Sequence, residues 1–171
     1  MPSATYVNKG TAKSILSSAG DATMNFASIA TGAGRAGTNL DLGAYPRALT
    51  WRWYAETQLQ ATPTIGQTVD LWLVPWDDDA GSARPWGDFT AVSGYSTAGF
   101  AFSTENDLRN LLFMGSIVVD QAAATKFTGG GLVQIPTRYV TPVWWNRSAA
   151  TSTSTASHHL AYLTPFYDEG Q

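Results

Sequence analysis

In Leu49-Thr50-Trp51-Arg52-Trp53-Tyr54-Ala55-Glu56-Thr57-Gln58-Leu59, the residues Leu49, Trp51, Trp53, Ala55 and Leu59 fall on one parity and Arg52, Glu56 and Gln58 on the other. Side chains of a strand alternate between two faces, so this stretch predicts a half-buried β-strand with two tryptophans in a core. After the turn-rich Ala61-Thr62-Pro63-Thr64-Ile65-Gly66 comes Thr68-Val69-Asp70-Leu71-Trp72-Leu73-Val74, with Val69, Leu71 and Leu73 inward and Asp70 outward. The two segments together predict a hairpin.

Further short runs rich in β-branched and aromatic residues follow: Phe113 to Asp120, Gly131 to Ile135, Tyr139 to Asn146 and His158 to Thr164, separated by Gly, Pro, Ser and Thr. With the weaker stretches Ala12 to Leu16 and Met24 to Ile29 they predict about eight strands, the number a jelly-roll sandwich uses. Only Glu105 to Leu112, after Ser103 and Thr104 as caps, reads as a helical turn or two. The expected fold is an all-β, antiparallel β-sandwich, jelly-roll-like, with an extended N-terminal arm over residues 1–11 and one sandwich domain over residues 12–171. Residues 30–47 and 75–103 read as long loops; such loops are uncommon in compact domains and tend to be functional or ordered by a partner.

A chain of 171 residues has the length of one domain and can bury a core without disulfides, of which the absence of cysteine leaves none. Only 13% of residues are charged against 44% apolar, with seven each of Trp, Tyr and Phe, so the chain is a folding one with a charge-poor surface for neighbours to cover. A net charge of −3 provides no basic field for a phosphate backbone or an anionic membrane, so neither nucleic acid nor membrane is an expected partner. No apolar run approaches the ~20 residues that span a bilayer, and the first twenty residues do not read as a secretion signal.

The chemistry on offer is sparse. Glu56 and Asp70 occupy the outward parity of the two predicted neighbouring strands, which would bring two carboxylates side by side as in sandwich-fold glycosidases. Arg52 on the same face would keep them ionised, whereas a general acid needs its pKa raised, so solvated or salt-bridged acids are the expected reading. Asp77, Asp78, Asp79 and Asp88 lack the spacing of a calcium loop. His158 and His159, adjacent on a predicted strand, would face opposite ways and share no metal. Gly129-Gly130-Gly131 lacks the Lys and Ser/Thr of a phosphate loop and reads as a turn. Asn146-Arg147-Ser148 matches the glycosylation tripeptide, a pattern short enough to arise by chance. No catalytic residue, cofactor or metal is expected.

The tryptophans carry more. Trp51 and Trp53 belong in the core, Trp72 opposes Leu71 and Leu73, one of Trp144 and Trp145 must face away from the other, and Trp76 and Trp86 fall in the Asp-rich loop. Surplus aromatics of this kind mark a binding surface unless long loops cover them as a third layer. The expected assembly interface is Tyr6 and Val7 of the arm with Trp72, Trp76 and Trp86.

The stretches Asn110 to Asp120, Gly131 to Asn146 and Ala161 to Glu169, with Pro136-Thr137-Arg138-Tyr139, Leu163-Thr164-Pro165 and Tyr167-Asp168-Glu169 as their most characteristic pieces, resemble small jelly-roll-like virion proteins of tailed bacteriophages. The resemblance covers about half the chain and contains no catalytic motif. It implies a non-enzymatic structural role in the virion, as a capsid decoration or tail subunit, with other virion proteins and copies of the same chain as partners. A carbohydrate-binding module that presents tryptophans to a glycan is the alternative reading.

Overall fold

The computed structural model describes residues 11–44, 48–76, 101–102, 105–108 and 111–166. Its strands are, in chain order, β1 (Lys13–Leu16), β2 (Ala22–Thr23), β3 (Ala33–Ala36), β4 (Leu40–Asp41), β5 (Thr50–Gln58), β6 (Thr68–Trp76), β7 (Ala101–Phe102), β8 (Leu112–Val118), β9 (Lys126–Gln134), β10 (Tyr139–Asn146) and β11 (Leu160–Phe166). Strand β5 follows the alternation of its sequence, with Trp51, Trp53 and Ala55 buried and Arg52 and Tyr54 exposed. It lies in a five-stranded sheet of order β2-β1-β11-β5-β9, and a second sheet runs β7-β3-β10-β6-β8, with β4 also on β10. Every described strand pairing is antiparallel except β1 with β2. The protein is an all-β sandwich, whose only helical pieces among the described residues are the 3-10 turns Glu105–Leu108 and Ala156–His158.

The predicted hairpin of β5 and β6 does not form. Strand β5 pairs with β11 and β9, while β6 pairs with β10 and β8 in the other sheet. Period-two alternation specifies which face of a strand is buried and leaves its neighbour open, so the connection 59–67 crosses between sheets. Residues 30–47 are not wholly loop either: β3 and β4 lie within them, and Ala36, Leu40 and Leu42 are buried. Gly34 pairs with Trp145 and Ala36 with Val143. Small residues on β3 thus give room to the bulky residues of β10.

The core between the sheets gathers Ile15, Phe26, Trp51, Trp53, Leu71 and Trp144 among others. Phe26 meets the Trp144 indole edge-on at 4.9 Å between centroids, a favourable aromatic geometry. Phe26, with Met24 and Ile29, sits outside any strand although Met24 to Ile29 reads as one. Pro142 has no N–H to give a ladder, and it is tolerated inside a central strand because its free side faces the gap between β3 and β4, where its carbonyl accepts from Gly37.

The triple glycine lies in the middle of β9 rather than in a turn. A Cβ on Gly131 would fall 2.9 Å from Trp53 Nε1, and one on Gly129 3.1 Å from Trp53 Cη2. These glycines make room for an indole. Asn146 closes β10 with a fully used amide: Nδ2 donates to the carbonyls of Ile29 at 3.0 Å and Ala150 at 2.8 Å, and Oδ1 accepts from the Ser148 amide at 2.9 Å and hydroxyl at 2.6 Å. The Asn146-Arg147-Ser148 tripeptide is therefore a buried turn lock and presents no amide for glycosylation.

Candidate functional site

Two exteriors remain once the sandwich is closed. The outer face of the β10/β6 sheet carries a second apolar cluster, formed by Val74, Trp76, Val143 and Trp145 with Ala36, Leu108 and Leu111, against which Trp72 and Tyr139 pack. Trp76 belongs to β6 rather than to a loop and is only 2% exposed; its Nε1 donates to Thr141 Oγ1 at 2.8 Å. Trp145 is buried likewise. Part of the tryptophan surplus is thus taken up inside the subunit by a third layer.

Trp72 is half-buried on the same face, its ring 4.7 Å from that of Phe113 on β8. Strand β8 is the last of its sheet, and Phe113 and Val118 stand 47% and 52% exposed along it. The register of β6 against β8 shifts between Leu71 and Trp72, opposite Gly115 and Phe113, so a bulge breaks the ladder there. Of the expected interface, Trp72 is therefore half-buried beside the exposed Phe113 of the end strand β8 and Trp76 is interior, while Tyr6, Val7 and Trp86 lie outside the described residues.

Glu56 and Asp70 do not meet. Glu56 is on the outer face of the β5 sheet, where it accepts from the Tyr54 hydroxyl at 2.6 Å and from Lys126 Nζ at 3.2 Å. Those bonds, Tyr54's first, hold its pKa below the ordinary carboxylate value. Asp70 is buried on the outer face of the other sheet, accepting from Ser116 Oγ at 2.7 Å and paired with Arg147, which also binds Glu105. Each carboxylate has its own cation, and the sandwich lies between them.

His158 and His159 precede β11 rather than lying on it. His159 is buried, within 3.0 Å of Thr57 Oγ1 through Nδ1, with Nε2 3.1 Å from the Thr153 carbonyl, and its ring stacks on Phe26. Burial lowers its pKa. Both rings come within reach of Thr153 Oγ1, so they do not face opposite ways as strand neighbours would. Asp77, Asp78, Asp79 and Asp88 lie outside the described residues. Among the described residues no group of three or more His, Asp or Glu side chains is arranged to hold a metal.

The outer face of the β5 sheet holds what the sequence reading missed. Arg52, Tyr54, Leu132 and Phe166 border a shallow depression whose floor is the backbone of Gly130 and Gly131 beside Trp53. The signal was present as an aromatic, Tyr54, on the polar parity of β5. Set against known proteins, the chain matches no family model and no curated protein.

Proposed function

We propose that this protein is a non-enzymatic structural subunit of a tailed-phage virion, working as a capsid decoration or tail component. The observation that carries the reading is the strand order. With the short strands β2, β4 and β7 set aside, β1-β11-β5-β9 faces β3-β10-β6-β8. That order supports a jelly roll, an architecture common in viral capsid domains. Fold alone does not give function. The resemblance of the C-terminal half to virion proteins adds to it, as does the exposed stripe of Phe113 and Val118 beside Trp72 on the edge strand β8, a surface that a neighbouring subunit would cover.

Residues 1–11, with Tyr6 and Val7, are in this reading an arm that adds to a neighbour. Hydrolysis by Glu56 and Asp70 is not part of it, since two carboxylates on opposite exteriors cannot flank one bond. The test is assembly of the purified chain and of its Phe113→Glu variant, followed by sedimentation. The wild type forms discrete oligomers or binds particles and the variant, folded to the same melting temperature, does not; equal assembly by both removes the β8 edge from the interface.

A further inference from the structure

We infer that the depression on the outer face of the β5 sheet is a binding site for an acidic sugar, with Arg52 taking the carboxylate and Tyr54 and Phe166 offering ring faces to the pyranose. The inference is independent of the virion reading and uses the opposite exterior of the sandwich from Trp72 and Phe113.

Tyr54, Leu132 and Phe166 are exposed by 41%, 58% and 47%, a concentration of apolar surface on one sheet face. Strand register brings them together: Arg52 pairs with Leu132 on one side and Thr164 on the other, Tyr54 pairs with Gly130, and Phe166 stands two residues beyond Thr164 on the same face. On the β9 side of Tyr54 there is no side chain, because Gly130 is its partner, so the depression opens beside the phenol ring. The ring is fixed in advance, since its hydroxyl donates to Glu56, which Lys126 holds in turn. A preorganised platform loses little entropy on binding.

Charge selects the ligand. Arg138 is locked to Asp41, and Arg147 to Asp70 and Glu105, whereas Arg52, exposed at the rim of the depression, pairs with no carboxylate among the described residues. A guanidinium presents a planar fork that matches a carboxylate in two parallel hydrogen bonds.

Size suits a sugar. The three exposed apolar side chains offer on the order of 300 Å². One or two sugar rings fit that area, with apolar ring faces on Tyr54 and Phe166 and the acid at Arg52.

The test is titration of the full chain, followed by NMR, with trigalacturonate, with neutral galactotriose and with triglutamate as a peptide of equal charge. Saturable binding of trigalacturonate is expected, with galactotriose and triglutamate each weaker by about tenfold or more. Arg52→Gln and Tyr54→Ala each lower trigalacturonate affinity by about tenfold with unchanged melting, while Lys13→Gln, a cation removed elsewhere, leaves it as it was. No saturable binding of trigalacturonate overturns the inference. Equal binding of galactotriose removes the role of Arg52, and equal binding of triglutamate makes the site one for acidic peptides; either result also overturns it.

Discussion

A Cβ built on Gly115 would fall 2.2 Å from Cζ2 of Trp53, so the indole of one sheet occupies the place of a side chain on the other. Gly115 also sits at φ +155° beside the β8 bulge. Gly115→Ala is therefore expected to destabilise the fold by about 2–4 kcal/mol, from overpacking and backbone strain together. In a Trp53→Phe background the same substitution costs less, because the benzo ring it meets is gone. Urea denaturation of the four proteins in this cycle measures the coupling; strictly additive losses would show that the indole does not fill that space.

Asn146→Ala leaves the buried Ser148 amide without its acceptor, while the Ile29 carbonyl keeps the Ser152 amide and the Ala150 carbonyl keeps the Ser148 hydroxyl. An unsatisfied buried group costs about 1–3 kcal/mol, so a loss of about 1–3 kcal/mol is expected by the same denaturation measurement. A loss below about 0.5 kcal/mol, the range of ordinary surface changes, would contradict the turn lock.

The buried His159 makes stability depend on pH. Burial lowers its pKa in the folded state, so the unfolded chain binds the proton more readily. Its contribution is fully present above the unfolded value of about 6.5 and is lost as pH falls below it toward the lowered folded value. Asp21, Asp41 and Glu56, whose pKa values are lowered, lose their contributions at more acid pH, below the ordinary carboxylate range. Urea midpoints should therefore fall between neutral pH and about pH 5 in the wild type, and the fall should flatten in His159→Gln. An identical slope in both would assign the loss to other groups.

The parts of the fold legible in the sequence are those where a bulky residue marks a buried face. Trp51 and Trp53 announce β5, and Tyr139 to Asn146 is β10 to the residue. The parts that are not legible depend on partners. Glycine and alanine in β3 carry no apolar signal, yet they lie opposite Trp145 and Val143. The triple glycine reads as a turn until Trp53 is seen against it. Alternation carries no record that the neighbours of β5 are β11 and β9, so the pattern puts Glu56 beside Asp70 where the sandwich separates them. Of the candidate interface, the outward parity of Trp72 is readable; the burial of Trp76 requires knowing that β6 continues through Pro75.

The proposed role of residues 1–11 as an arm has its own test. Deleting residues 1–11 should leave the melting temperature of the isolated sandwich nearly unchanged and weaken incorporation into particles or oligomers. Unfolding of the truncated chain would make those residues an internal strand.

The proposed place of this chain in a virion, as a structural subunit, is decided by quantitative mass spectrometry of purified phage particles from a lysate that contains it. The chain is expected in the particles at a fixed, multiple copy number that survives density-gradient purification. Its complete recovery in the soluble fraction, with none in the particles, would overturn that role.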